Sequence, residues 1–406
     1  MPTSPALFTT KHFAVVAARW PESIVYWDQG NQVALMSSLA LLMLLVADIA
    51  TDRRWRLMIA IGLVISGLLV AGVAFAQSFA QVKTIYGEAG RPISTNFAGP
   101  FYHHTSAGAY INAIWPIGLG LAALAWQSGK AWRFPVTLLM LLLTAIILAA
   151  HGLHVSRMPQ VVGLFLVGVL VWLLVRSGSF RRGVVLLSAH KTRAAFAAAT
   201  VLVVLVGLIA ATGKLKHIAS RWQLWAPQTS VVTRTELPPE SAWPKLMRAD
   251  LFIPSPNSGT GMLGARSIGY DAAFAAISAR PIWGHGPANW MGAASQHSKD
   301  PLVRTFFQFL QFTHNDFLQV AVEWGVVAAI GWAGLLVGGA GSVVYIAFRH
   351  RRADPLVLAA AIGATAVLLQ SLWDFPLQMG AIVLTVSTLS GLCWASLSAE
   401  KRAALA

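Results

Sequence analysis

Three adjacent polar side chains, His314, Asn315 and Asp316, open an otherwise apolar run that reads FTHNDFLQVAVEWG. Phe317, Leu318, Ala321, Val322 and Gly325 share one helical face. Asn315 or Asp316 suits the N-cap of that helix, which accounts for one polar residue and not for the trio. His314 then stands beside the positive end of the helix dipole, where an uncharged imidazole is suited to accept a proton as a general base. Glu323, further along the run, needs a partner, either an arginine or a hydrogen-bonding group on a neighbouring helix, because an acid at the depth of a membrane span is costly.

A second chemistry-bearing group is cationic. Arg266 and Arg280 bracket RSIGYDAAFAAISARP, and Arg221, Arg234, Arg248 and Arg304 lie in the same stretch of chain. A guanidinium stays charged at ordinary pH and grips phosphate oxygens with two parallel N–H bonds, so such a cluster fits a diphosphate carried on a lipid. Solvated surface positions account for most of these arginines, and Arg266 is the strongest candidate among them. In AAHGLHVSRMPQ, His151, His154 and Arg157 are about one helical turn apart. Arg157 reads either as a cation snorkelling to headgroups or as a ligand-binding residue, and no carboxylate lies beside the two histidines to suggest a metal site. His103 and His104, in FAGPFYHHTSAGAYINAIWPIG, fit an interfacial aromatic belt with a cap at Thr105 or Ser106, or else a loop that contacts substrate. The glycines and Asn289 of IWGHGPANW suit a tight turn that brings backbone N–H groups toward an anion.

The elements that must position these groups are membrane spans. The chain has 406 residues, 56% of them hydrophobic and 11% charged, with a mean hydropathy of +0.63. That is too apolar for a soluble domain and implies an all-α polytopic membrane protein. At about 20 apolar residues per crossing, about nine spans are expected, over 33–50, 57–76, 108–126, 135–151, 160–175, 194–212, 321–348, 355–372 and 379–396. If the first span runs inward, TDRRWR, QSGKAWRF, RSGSFRRGVVLLSAHKTR, RHRRADP and the SAEKRAALA tail are the inner loops, all basic and short. The segments 77–107 and 213–320, with the turns HGLHVSRMPQ and WDFPLQ, then face outward together with the chemistry-bearing residues. The formal net charge of +15 is topology signal and headgroup contact, and no nucleic-acid motif accompanies it.

The expected organisation is an interfacial segment 1–32, spans 1–6 over 33–212, a partly helical outer subdomain 213–320 over the bundle, spans 7–9 over 321–396 and an inner tail 397–406. In the subdomain, prolines cluster in LPPESAWPK and FIPSPNSGTG, and the spacing of Ile268, Ala272, Ala273, Ala276 and Ala279 predicts an amphipathic helix stopped by Pro281. The N-terminal stretch lacks the apolar core and cleavage site of a cleaved leader. It either rests on the interface through Trp20, Tyr26 and Trp27 or follows further spans upstream. The single cysteine, Cys393, excludes an intramolecular disulfide and a multi-cysteine zinc site.

Four stretches together resemble the O-antigen ligase and polymerase superfamily. TFFQFLQFTHNDFLQVAVEWGVVAAIG is similar to its signature helix, with a His-Asn pair, apolar residues and Glu-x-Gly. ARSIGYDAAFAAISARPIWGHGPANW resembles its block of Arg, amphipathic helix, Arg-Pro and Gly-x-Gly-Pro. HVSRMPQVVGLFLVGVLVWLL resembles its Ser-Arg motif opening a span, and LQSLWDFPLQMGAI its Asp-Phe-Pro turn. The matches occur in family order. Met158 and Pro159, where small residues are usual, and Ala328, near a usual glycine, depart from the pattern.

The resemblance implies a multi-pass glycosyltransferase of the bacterial inner membrane whose active site faces the periplasm. Its donor would be a glycan on undecaprenyl diphosphate, and its acceptor a sugar hydroxyl of lipid A-core or of another glycan chain. Carried over by motif, His314 would activate the acceptor, while Arg157 and Arg266, assisted by Arg280, would hold the diphosphate. Asn315, Asp316 and His154 would complete the substrate-binding set. No cofactor is implied, and guanidinium groups would take the place of a metal ion. The expected partners are the lipid-linked donor, the lipid or glycan acceptor and membrane lipids. Ligase and polymerase share this chemistry. A lipid-linked sugar transporter, which would show inverted repeats and broken midplane helices, and a noncatalytic assembly subunit are the readings of another class.

Overall fold

The computed structural model of the protein describes residues 26–80, 82, 99–101, 103–129, 132–153, 156–176, 199–204, 206–208, 210, 264–297, 312–350 and 354–405. Among the described residues every regular element is helical and no strand occurs. The helices are α1 (Tyr26–Ile49), α2 (Arg53–Phe79), α3 (His104–Gln127), α4 (Arg133–Leu153), α5 (Arg157–Arg176), α6 (Gly264–Ala279), α7 (Trp290–His297), α8 (Asp316–Trp324), α9 (Val326–His350), α10 (Pro355–Gln370) and α11 (Gly380–Leu405), with a 3₁₀ turn at Pro376–Gln378.

Six of these helices are long and apolar enough to cross a membrane: α1, α2, α3, α4, α9 and α11. The remaining predicted spans are a shorter apolar stretch of α5, the fragment Ala199–Leu208 and α10. Six is thus the count among the described residues, and it leaves the expected count of about nine unconfirmed. Hydropathy windows cannot separate a span from a short apolar helix enclosed by other helices. α10 is such a helix, buried along most of its length. The seventh predicted span begins at Val326 rather than Ala321, because the helix stops at Gly325, whose φ is +84°.

The chain divides into two compact units, Met1–Ala34 with Leu224–Gly331, and Leu35–Gln223 with Trp332–Ala406. The second unit is a helical bundle organised around α3, which packs on α2, α4, α5, α10 and α11. Its closest approaches use small residues, as is usual where lipid removes the hydrophobic drive between helices and van der Waals packing must hold them. Gly363 of α10 lies against the Ala113 carbonyl of α3, and Gly118 of α3 lies against the Thr144 hydroxyl of α4. Gly120 faces Ala359 and the Pro355 carbonyl. The outward faces of α1 and α2 carry exposed Leu41, Leu44, Leu45, Ile61, Ile65 and Leu69, an apolar belt suited to lipid contact rather than to water.

Polar contacts tie the two ends of the bundle. Asp52 caps α2 by accepting from the Arg54 N–H, and Asp354 caps α10 by accepting from the Leu356 N–H. Arg56 then pairs with Asp354 at 3.2 Å, which brings one residue of TDRRWR and one of RHRRADP, read as loops of one membrane face, to the same end of the bundle. At the opposite end of α3 and α10, the Gln370 amide donates to the Thr105 carbonyl at 3.0 Å, and the rings of His103 and Phe375 lie 5.4 Å apart. The expected cap at Thr105 or Ser106 is corrected: α3 begins after His103, which caps no backbone N–H, and the Thr105 hydroxyl instead meets His103 Nδ1 at 2.6 Å.

Adding a Cβ at Gly363 drives it into the Ala113 carbonyl, a backbone group that cannot swivel away. Gly363→Ala should therefore cost about 1–3 kcal/mol and lower the apparent Tm in detergent. At Gly72 of α2 a Cβ meets nothing within 4 Å, so Gly72→Ala should be neutral or raise stability by up to about 1 kcal/mol. Equal thermal unfolding curves for the two variants would contradict this account of the packing.

Candidate functional site

The first unit holds the His-Asn-Asp trio in a built turn. Asn315 is the N-cap of α8: its side-chain oxygen accepts from the Leu318 N–H at 3.0 Å, as the sequence allows for either of two residues. Asp316 is fully buried in the first turn of α8, where a carboxylate complements the helix dipole. The Thr313 hydroxyl donates to the Asn315 carbonyl at 2.6 Å and accepts from the Asn315 N–H at 3.1 Å. This knot puts His314 at φ +57°, a left-handed conformation that a residue with a Cβ rarely adopts. The Tyr270 hydroxyl of α6 donates to the His314 carbonyl at 3.1 Å, so α6 holds the backbone of the turn directly.

α6, α7 and α8 share a small core of Ala272, Ala273, Ala276, Trp290, Ala293, Ala294 and Val322. The predicted amphipathic face of α6 is thus real at Ala272, Ala273 and Ala276, although Ala279 is exposed. Arg280 follows α6, its N–H donating to the Ala276 and Ile277 carbonyls. Its guanidinium is near His285 and His297, whose rings are 4.9 Å apart in an edge-on pair. His285 is buried and bonds the Ala276 carbonyl through Nε2 at 2.9 Å. Burial chiefly, with the charges of His297 and Arg280, holds this imidazole below its usual range. Burial does the same for His297.

The IWGHGPANW turn is locked onto the end of α8 by backbone contacts. The His285 N–H donates to the Val322 carbonyl at 2.8 Å, the Gly286 N–H to the Glu323 carbonyl at 2.9 Å and the Val326 N–H to the Pro281 carbonyl at 2.7 Å. At Gly284 (φ +65°) a Cβ would stand 2.6 Å from the Glu323 backbone. At Gly325 (φ +84°) it would run into the Ile282 carbonyl. Both positions therefore require glycine for space as well as for φ. The two family-like motifs, Gly-x-Gly-Pro and Glu-x-Gly, are the two sides of this one crossing.

Glu323 is buried at its centre. Its carboxylate accepts from the Ala288 N–H at 3.1 Å, from the Gln319 amide at 3.1 Å and from the Trp290 N–H. Gln319 in turn accepts from the Thr313 N–H at 3.2 Å, so the bonded chain runs the length of α8 from Glu323 to the turn that carries His314. The partner expected for Glu323, an arginine or a neighbouring helix, proves to be a turn backbone and a glutamine one helical turn away. The backbone N–H groups expected to face an anion do so, and the anion is the protein's own carboxylate.

Arg266 is in the first turn of α6, one turn before Tyr270; its side chain lies outside the described residues, as does all of His154. Arg157, in the second unit, is half-buried as the first residue of α5, next to buried Ser156. Pro159 is seated in the same first turn, where its missing N–H removes no helical bond. It packs on Gly108, and its carbonyl accepts from the Asn112 amide at 2.7 Å. This departure from the family pattern is thus matched by a glycine on α3.

Residues 139–333 match the family model described as O-Antigen ligase. This stretch of the chain is similar to the O-antigen ligase family. It holds Arg157, Arg266, Arg280, His314, Glu323 and Gly325, whereas the Asp-Phe-Pro turn at Asp374 lies beyond it. Members of that family are membrane glycosyltransferase-like enzymes, and the match supports a function of the O-antigen ligase or polymerase type. No curated protein matches the chain. Tyr270, Thr313, Gln319 and His285 had not been singled out as site residues in the sequence. The position of Tyr270 four residues after Arg266, on the same face of a helix, was the available signal.

Burial raises the Glu323 carboxyl from its ordinary 4.5 to about 7, against the pull of its three donors. A native value above the unfolded one means that the folded state binds the proton more tightly. Its stabilisation is complete below the unfolded value and is lost as pH rises toward about 7. The apparent Tm should therefore fall between about pH 5 and pH 7 and then level off, and Glu323→Gln should flatten that slope. A variant with the wild-type slope would exclude Glu323 as its source.

Proposed function

We propose that this protein transfers a glycan from undecaprenyl diphosphate to a sugar hydroxyl, of lipid A-core or a similar acceptor, at the periplasmic face of the bacterial inner membrane. The observation that carries the reading is the joining of two motifs. The helix bearing Arg266 holds the backbone of the His314 turn through Tyr270, and both lie within the matched domain.

In the proposed reaction His314 takes the proton of the acceptor hydroxyl as its oxygen bonds the anomeric carbon. The bond from that carbon to the diphosphate oxygen breaks, and undecaprenyl diphosphate leaves with the electron pair. Arg266 and Arg157 are assigned to the diphosphate oxygens, with Arg280 assisting, because fixed guanidinium groups offset the charge that grows on the leaving group. Asn315 and Asp316 hold the turn, and Asn315 does so as an observed cap. A diphosphate leaving group needs little general-acid help, and the proposed chemistry routes no step through a metal.

Reconstitution with a lipid-linked glycan and a choice of acceptors tests this. His314→Ala should bind donor like the wild type and lose product formation by about 100-fold or more; undiminished turnover would remove His314 from the chemistry. Arg266→Lys keeps the charge and loses the fork, so donor binding should weaken about tenfold, and wild-type affinity would count against its diphosphate role. Chelation should leave the rate unchanged, whereas a loss restored by a divalent ion would overturn the arginine-based account. Product length distinguishes addition of a preformed glycan to an acceptor from chain growth.

A further inference from the structure

The turn that locks onto α8 also presents a surface that the site chemistry does not use. Trp283 is 80% exposed and Ile282 58% exposed, the most prominent apolar side chains of a turn whose backbone bonds the end of α8 through the His285 and Gly286 N–H groups. Their backbone is held in place, because the Pro281 carbonyl accepts from the Val326 N–H at 2.7 Å and the Ile282 carbonyl is covered by Gly325. The same contacts fix their level along the chain's exit into the membrane, since Val326 is the first residue of α9, a helix long and apolar enough to span. On the opening turns of α9, Val327 and Ile330 are exposed at 68% and 67%, three residues apart and so on one helix face. The exposed apolar pair of the turn and the exposed apolar face of the span therefore meet at one level of the same unit.

We propose that Ile282 and Trp283 form a membrane anchor, embedded in the headgroup and acyl boundary of the leaflet that α9 enters, which tethers the unit carrying His314 to that leaflet. The occupant is lipid because the surface continues the lipid-facing side of a span, and because indole, with an apolar ring and one N–H donor, partitions to that boundary. A tether of this kind keeps the His314 turn next to the bilayer, where a lipid-linked substrate presents its headgroup. The anchor itself does not depend on the proposed chemistry and requires only that α9 crosses the bilayer.

Cys393 is the single cysteine and is buried, so a Cys393→Ser background accepts one nitroxide label at a chosen position. The full chain, labelled after Trp283→Cys, is reconstituted in phosphatidylcholine and phosphatidylglycerol nanodiscs. Collision rates are then measured with oxygen, which concentrates in lipid, and with a neutral nickel chelate, which stays in water. Labels at Val327→Cys and at Arg54→Cys, an exposed cation at the start of α2, give the lipid and aqueous references. The ratio of oxygen to nickel collisions at 283 should approach the Val327 value and exceed the Arg54 value several-fold. A ratio equal to that at Arg54 would overturn the proposal, as would protection from both reagents, which would mean that protein covers the turn. In the unlabelled protein, Trp283→Phe should lower the fraction of tryptophan emission quenched by brominated lipid, and no change in that fraction would also overturn it.

Discussion

The packing of α6, α7 and α8 depends on two backbones crossing at van der Waals contact. Gly284 meets the Glu323 backbone and Gly325 meets the Ile282 carbonyl, with no room for a Cβ on either side. Such proximity lets the His285, Gly286 and Val326 N–H groups reach carbonyls of the opposing strand of chain. It also aims the Ala288 and Trp290 N–H groups at the Glu323 carboxylate. A buried carboxylate is tolerated only when its lone pairs are bonded, so the crossing and the acid require each other. Removing the acid strands the Ala288 and Trp290 N–H donors, and widening the crossing strands the acid.

From that crossing the order propagates along α8. Glu323 and Gln319 are one turn apart on a nine-residue helix, and their bonds connect the Gly-x-Gly-Pro turn at one end to the Thr313 N–H at the other. The far end is closed by the Asn315 cap and the Thr313 hydroxyl, and Tyr270 adds a tie from α6. A left-handed residue with a Cβ persists when its surroundings over-determine it, and His314 is held by the bond from Tyr270 to its carbonyl and by the bonds of Thr313 and Asn315 on either side. Ala288, whose N–H bonds the Glu323 carboxylate, is the other non-glycine residue with positive φ among the described residues, so both ends of the bonded chain carry such a turn.

The residue types and spacings made part of this legible. Periodicity located α6 and its stop at Pro281, and the Asn-Asp pair located the start of α8, because caps and proline breaks are local chemistry. Glu323 was recognisable as a residue in need of a partner. Its actual partners were not legible, since two are backbone N–H groups brought in by a turn more than thirty residues away, about which side-chain identity says little. The same limit applies to the spans. Hydropathy found apolar stretches well, yet it could not distinguish α10, enclosed by its neighbours, from a lipid-facing helix such as α2. The break at Gly325 was equally hidden, because a glycine within an apolar run reads as a tolerated interruption until its φ is known.

That break determines where polarity can be kept. Had α8 and α9 formed one continuous helix, Glu323, Gln319 and the trio above them would extend the apolar rod of α9 and compete with it for the same environment. Gly325 ends α8, and the Pro281 carbonyl accepts from the first N–H of α9, so the span starts with a backbone donor already satisfied. The polar chain stays on the short helix and the apolar face on the long one. The change from a polar helix to an apolar one is thereby made within a few residues, at one glycine packed against the Ile282 carbonyl.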